Sequence, residues 1–162
     1  MFRRLAALER FLSTLGAVIA SLLLLGLVGL ITVEIVGRSF FDYSTMLADE
    51  YSGYLFLALV YLGLAYTFRQ GGHIRITIVS SRLPEGVRRW LDVFAGTMTL
   101  GILLFALVYA WKFMMESKEM EMVSEGVSET PLWLTQIPMV IGLGLFALSV
   151  LVFVLKRIRN DQ

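Results

Sequence analysis

Four stretches of this chain contain no charged residue: positions 11–33, 51–68, 93–111 and 131–155, which are 23, 18, 19 and 25 residues long. A helix needs about 20 mostly apolar residues to cross a hydrocarbon core of roughly 30 Å. Inside that core backbone polar groups find no water, so a spanning segment must satisfy them within itself. The four stretches therefore predict an all-α integral membrane protein with four transmembrane helices. The spans fall at about 11–36, 51–69, 91–115 and 131–155, in a single membrane domain over 1–162. The second is near the lower length limit and crosses nearly upright, or with Arg69 extended to the headgroups.

Composition supports the same solvent. Of the 162 residues, 57% are hydrophobic and 17% charged, against about 45–50% and about 25% in a soluble domain. Mean hydropathy is +0.77. A single soluble core of this size does not absorb such long apolar blocks. The first stretch follows Arg3 and Arg4, as a secretory signal does. Yet a signal's apolar region is about 7–15 residues and ends at a small-residue cleavage site. This one is longer, and Glu34-Ile35-Val36-Gly37-Arg38 does not resemble such a site, so it is read as a retained helix.

Orientation follows from the basic residues, which resist translocation. With the N-terminus inside, eleven of the fourteen Lys and Arg face the cytoplasm, and only Arg38, Lys112 and Lys118 lie outside. The expectation is a multi-pass protein of the bacterial inner membrane with both termini cytoplasmic. Acidic residues gather on the opposite side: Glu34, Asp42, Asp49 and Glu50 near the first outer loop, and Glu116, Glu119, Glu121, Glu125 and Glu129 near the second. That face either meets a basic partner through long-range attraction or simply solvates two loops.

The loops carry further signals. Gly71-Gly72 suits the left-handed cap that ends a helix. Beyond it, Ile74, Ile78, Val79 and Leu83 share one side of a helix, with Arg75 and Arg82 on others, which predicts a short amphipathic interfacial helix at about 73–89. Pro84 fits a first helical turn, and Trp90 an interfacial anchor. Thr130-Pro131 predicts an N-cap followed by a first-turn proline, and Pro138 a bend or interruption of the fourth helix. The segment 116–129 reads as an extension of the third helix and then a turn around Gly126. Ala17 with Ser21, and Gly26 near Gly29, offer small surfaces for close helix packing.

Little here supports chemistry. There is no cysteine, which removes thiolate nucleophiles, cysteine metal sites and disulfides. A net charge of +1 without a basic stripe gives no sign of nucleic acid. The expectation is no enzyme activity, no catalytic residue, no cofactor and no metal. Glu34 and Arg38 stand four apart with the acid first, the favourable order for a helical ion pair. Asp49 and Glu50 open the second span, where the helix N-terminus favours negative charge, and they also suit a partner contact. His73, beside Arg69 and Arg75, is read as fixing the turn or meeting headgroups; a bis-histidine haem would need a second copy. No charge lies near the middle of a span, whereas coupled carriers keep ionisable groups there.

The order of features resembles a known family. Val33-Glu34-Ile35-Val36-Gly37-Arg38 closes the first span, and Ala48-Asp49-Glu50-Tyr51-Ser52-Gly53-Tyr54 opens the second. Gly63-Leu64-Ala65-Tyr66, Arg69-Gln70-Gly71-Gly72-His73-Ile74-Arg75-Ile76, Arg82-Leu83-Pro84, Ser128-Glu129-Thr130-Pro131-Leu132-Trp133 and Ile137-Pro138 follow. Together these resemble the small membrane subunit of tripartite ATP-independent periplasmic (TRAP) transporters over nearly the whole chain. Where many members carry a tryptophan before the acidic pair, this chain has Met46-Leu47-Ala48.

The resemblance implies three partners: a large multi-spanning permease subunit that carries substrate and sodium, a periplasmic substrate-binding protein that delivers an organic acid, and the lipid bilayer. It implies a small permease subunit that packs beside the large one and extends its static scaffold. Glu34, Arg38, Asp49, Glu50, Arg69, His73 and Arg75 are the candidate structural or subunit-contact residues. Two rivals are a stand-alone small multidrug-type carrier, which needs a buried mid-span carboxylate, and a membrane anchor of a redox complex, which typically offers paired histidines inside spans.

Overall fold

The computed structural model describes residues 2–71 and 84–159. It contains four helices: α1 (Phe2–Phe41), α2 (Ala48–Arg69), α3 (Glu85–Glu119) and α4 (Leu132–Arg159). All four are long and apolar enough to cross a membrane, and the described residues contain no strand. His73, Arg75 and most of the expected interfacial segment lie outside the described residues. The end of that segment, from Glu85, is the first turn of α3.

The helices run beyond their apolar stretches. With 40 residues α1 is about 60 Å long, and with 22 α2 is about 33 Å, at 1.5 Å per residue. Continuing the helix past the bilayer keeps each backbone pair satisfied until water is reached. Left-handed residues then end it. Asp42 at φ 51° turns the chain after α1, and Gly71 at φ 76° follows α2. After α3, Glu121 takes φ 49° while Met122 N–H reaches the Ser117 carbonyl at 3.0 Å and Glu121 N–H that of Lys118 at 3.2 Å. This is the Schellman arrangement, here with a glutamate where glycine is usual.

The chain runs up and down, so α1 and α2 form one antiparallel pair and α3 and α4 another. The pairs join through α2 on α4, and α4 also touches α1. Its most apolar stretch is 44% buried, against 11% for α1, so α4 is the centre of the bundle. Leu103 and Ala110 of α3 pack with Phe146, Val150 and Val154 of α4, and Phe68 of α2 closes on that cluster with its ring edge-on to Phe146 and Phe153.

Three expectations change. The fourth helix starts after Pro131, so Thr130 is not its cap; the Thr130 hydroxyl lies 3.2 Å from Tyr51 Oη and 2.6 Å from Ser128 Oγ instead. The helix runs through Pro138 without interruption. Close packing inside the chain uses glycines other than Gly26 and Gly29, whose missing side chains face open space. A β-carbon on Gly142 would meet the Tyr61 backbone, and one on Gly16 would stand 2.8 Å from the Leu62 carbonyl oxygen.

Candidate functional site

Polar groups collect at the two ends of the bundle. One end, acidic, holds the close of α1, the start of α2 and the 120–131 loop; the other, basic, holds the start of α1 and the close of α4.

At the acidic end Glu34 is the organising group. It is buried, and a buried carboxylate is tolerated only when its oxygens are well supplied with donors. Its Oε1 accepts from Arg38 Nε at 2.7 Å and from Ser44 Oγ at 2.5 Å. Its Oε2 accepts from the Thr45 hydroxyl at 2.6 Å and the Thr45 N–H at 3.2 Å. One side chain on α1 thus ties down the connection to α2, which contains the left-handed residues Asp42 and Met46. Arg38 extends the group to Asp49 at 3.8 Å, a weak pair because the Asp49 side chain is 86% exposed.

Glu50 points the other way, into the 120–131 loop. Tyr54 Oη donates to its Oε1 at 2.9 Å. Its Oε2 is fully enclosed and lies against Gly126, in the space a β-carbon would fill. That loop is itself tightly tied: Ser124 N–H donates to the Thr130 carbonyl at 2.9 Å and Leu132 N–H to that of Met122 at 2.9 Å. The two neighbouring acids therefore do separate things. Asp49 faces outward beside Arg38, while Glu50 locks α2 to the connection between α3 and α4.

At the basic end Arg69 bridges α2 to α1. Its Nη1 donates to the Arg10 carbonyl at 2.7 Å and Ser13 Oγ at 2.6 Å, and its Nη2 to Thr14 Oγ1 at 3.0 Å. The planar fork suits such a multiple contact better than an ammonium. Arg89 of α3 caps α4 by donating to the Arg157 carbonyl at 2.8 Å and to that of Ile158. Arg157 in turn meets Asp92 at 3.1 Å.

Sequence reasoning missed several of these groups. Glu9, 6% exposed, accepts from Ser149 Oγ at 2.6 Å across 140 positions. Gln136 Nε2 donates to Ser117 Oγ at 3.0 Å inside the α3–α4 contact. Ser149 stands among apolar residues and Ser117 between Glu116 and Lys118, and neither setting reveals the pairing. Of the seven candidates, Glu34, Arg38 and Asp49 come together, Glu50 and Arg69 stand apart from them, and His73 and Arg75 are not described. Among the described residues no cluster of acids or imidazoles could hold a metal ion. These side chains bind one another and tie helices together.

The sequence model of the family described as tripartite ATP-independent periplasmic transporters, DctQ component, matches residues 27–160. The chain belongs to this family. It is similar to the small permease protein TeaB of an ectoine TRAP transporter from Halomonas elongata, with 25% identity over 112 residues, 69% of this chain and 58% of that protein. It is also similar to a TRAP transporter small permease protein from Haemophilus influenzae, with 26% identity over 131 residues, 81% of this chain and 74% of that protein. The chain thus matches less than two thirds of the Halomonas protein's length. A member of the DctQ family is a component of a TRAP transporter. With four helices able to span a bilayer, the chain is a multi-pass protein of the bacterial inner membrane. The matched region takes in the whole acidic end, Arg69 and all of α4.

Proposed function

We propose that this chain is the static small permease subunit of a TRAP-type secondary transporter. It packs beside a large substrate-translocating subunit and widens the part of the assembly held still in the bilayer. Uptake is coupled to sodium, and the cargo is an organic acid delivered by a periplasmic binding protein. The Halomonas relative is named for ectoine; the cargo of this chain's assembly is chosen by its partners. Both termini face the cytoplasm, so the acidic end faces the periplasm, where the binding protein arrives.

The observation that carries this reading is the position of the buried charges. Among the described residues they are Glu9 and Glu34, one at each end of the bundle and neither in its middle. A chain that moved ions or acids by itself would keep ionisable groups along the path. The exposed apolar residues support the same role: Leu22 and Leu25 on α1, and Phe94, Ile102 and Phe105 on α3, are all more than 60% exposed and offer surface to lipid and to a second membrane protein. Glu34, Arg38, Asp49, Glu50, Arg69, His73 and Arg75 set the fold and the subunit contact.

The test is a mild-detergent purification of tagged protein from its native membrane, followed by mass spectrometry. Recovery of one large polytopic protein in near-equal amount is expected. Recovery of the chain alone, or only with copies of itself, overturns the reading.

A further inference from the structure

At the basic end, α1, α2 and α4 line a half-open cavity of about 580 Å³ whose wall includes Glu9, Arg10, Arg69 and Lys156 together with Phe68 and Phe153. Its volume lies within the range of about 300–1,000 Å³ typical of small-ligand pockets. Arg69 spends its donors on neutral groups of α1. Among the described residues neither the Arg10 nor the Lys156 side chain pairs with a carboxylate. Both are exposed, and the one acid in the wall, Glu9, accepts from Ser149. The wall therefore combines a net positive charge with two aromatic residues, at the end of the bundle where α1 begins and α2 and α4 close.

We propose that this cavity is a binding site for the phosphate headgroup of an anionic phospholipid. Basic pockets between membrane helices attract such headgroups through full charges near the lipid surface. Arg10 and Lys156 meet the phosphate from α1 and α4, and Arg69 adds its charge from the end of α2. Phe68 and Phe153 flank the glycerol and the first acyl carbons. This aromatic wall points to a lipid over free phosphate, which would leave it wet. Assigning the lipid to the cytoplasmic leaflet rests on the orientation proposed above; the cavity and the test below do not.

The test uses the purified full chain in mild detergent, offered equal amounts of phosphatidylglycerol and phosphatidylcholine with identical acyl chains, with retained lipid read by native mass spectrometry. Phosphatidylglycerol is expected to be retained severalfold over phosphatidylcholine. The preference is expected to disappear in Arg10→Gln/Lys156→Gln, return in Arg10→Lys/Lys156→Arg, and survive in Arg88→Gln, a basic-end control outside the cavity wall. Thermal melting without added lipid verifies that each variant is folded, and single Arg10→Gln and Lys156→Gln variants serve if the double one is not. Equal retention of the two lipids overturns the proposal, as does a preference that persists without both cations. A preference lost equally in Arg88→Gln overturns it too, in favour of diffuse charge attraction. Inorganic phosphate that displaces phosphatidylglycerol and raises the melting temperature as much identifies a free-anion site and also overturns it.

Discussion

The Glu50 carboxylate and Gly126 share one space: the acid of α2 lies against the backbone of the 120–131 loop where any other residue would place its β-carbon. Gly126→Ala forces the carboxylate away from the loop and strains its bond to Tyr54. Such overpacking costs about 1–3 kcal/mol. Because the clash is with one side chain, Glu50→Ala is expected to relieve most of it. A double-mutant cycle by thermal or chemical unfolding in detergent reads the coupling; additive effects would show that the two residues do not meet.

Glu34 and Arg38 are partners of unequal weight. Glu34 accepts four hydrogen bonds, whereas the Arg38 side chain is 53% exposed and has water as an alternative. Glu34→Ala is expected to lower the melting temperature by several degrees and Arg38→Ala by clearly less. Limited proteolysis of the 42–47 connection should rise in the first variant and stay near the parent level in the second. The reverse order would contradict the geometry.

Gly142 brings α4 directly against the main chain of α2. A side chain there meets the main chain of Tyr61, which has no rotamer to yield. Gly142→Val is expected to destabilise by about 3 kcal/mol or more, toward the upper end of overpacking effects, and Gly142→Ala by less. Unfolding followed by tryptophan fluorescence measures both.

Gly26→Ala and Gly29→Ala give the opposite expectation. Among the described residues nothing lies within 4 Å of a β-carbon at either position, and alanine favours an exposed helix over glycine by roughly 0.5–1 kcal/mol. Melting of the isolated chain should be unchanged or slightly raised. Loss of a co-purifying large subunit in a bulkier Gly26→Leu or Gly29→Leu variant that still folds would mark this side of α1 as its contact.

Arg69→Lys is expected to behave nearly as poorly as Arg69→Ala. An ammonium is a point charge and does not reproduce contacts with the Arg10 carbonyl, Ser13 and Thr14 from one planar group. Hydrogen exchange over 8–16 checks this: protection should fall in both variants while the α3–α4 contact stays protected.

What was legible in the sequence was local. Uncharged stretches gave the four helices because the cost of charge in hydrocarbon acts on each segment alone. The Glu34–Arg38 pair was legible because four residues is one helical turn, and Gly71 because a left-handed residue closes α2. What stayed hidden depends on which helices are neighbours. Nothing near Ser149 announces Glu9, and nothing near Gly142 announces Tyr61. Thr130-Pro131 misled because the threonine hydroxyl had competing partners in Tyr51 and Ser128. The helical extension of α3 past 115 was legible in the segment after Lys112, whereas the continuation of α1 to Phe41 was not, because charged residues continue a helix once water is available.

The position of α4 at the centre also orders assembly in time. It is synthesised after the other three, yet it is the helix that packs against all of them. Until it enters the bilayer, α1–α2 and α3 have little to hold them together, Glu9 lacks its serine and Gly142 has not reached Tyr61. The nascent protein therefore passes through a stage in which α3 is loosely associated with the α1–α2 pair, and closure of these four helices waits on α4.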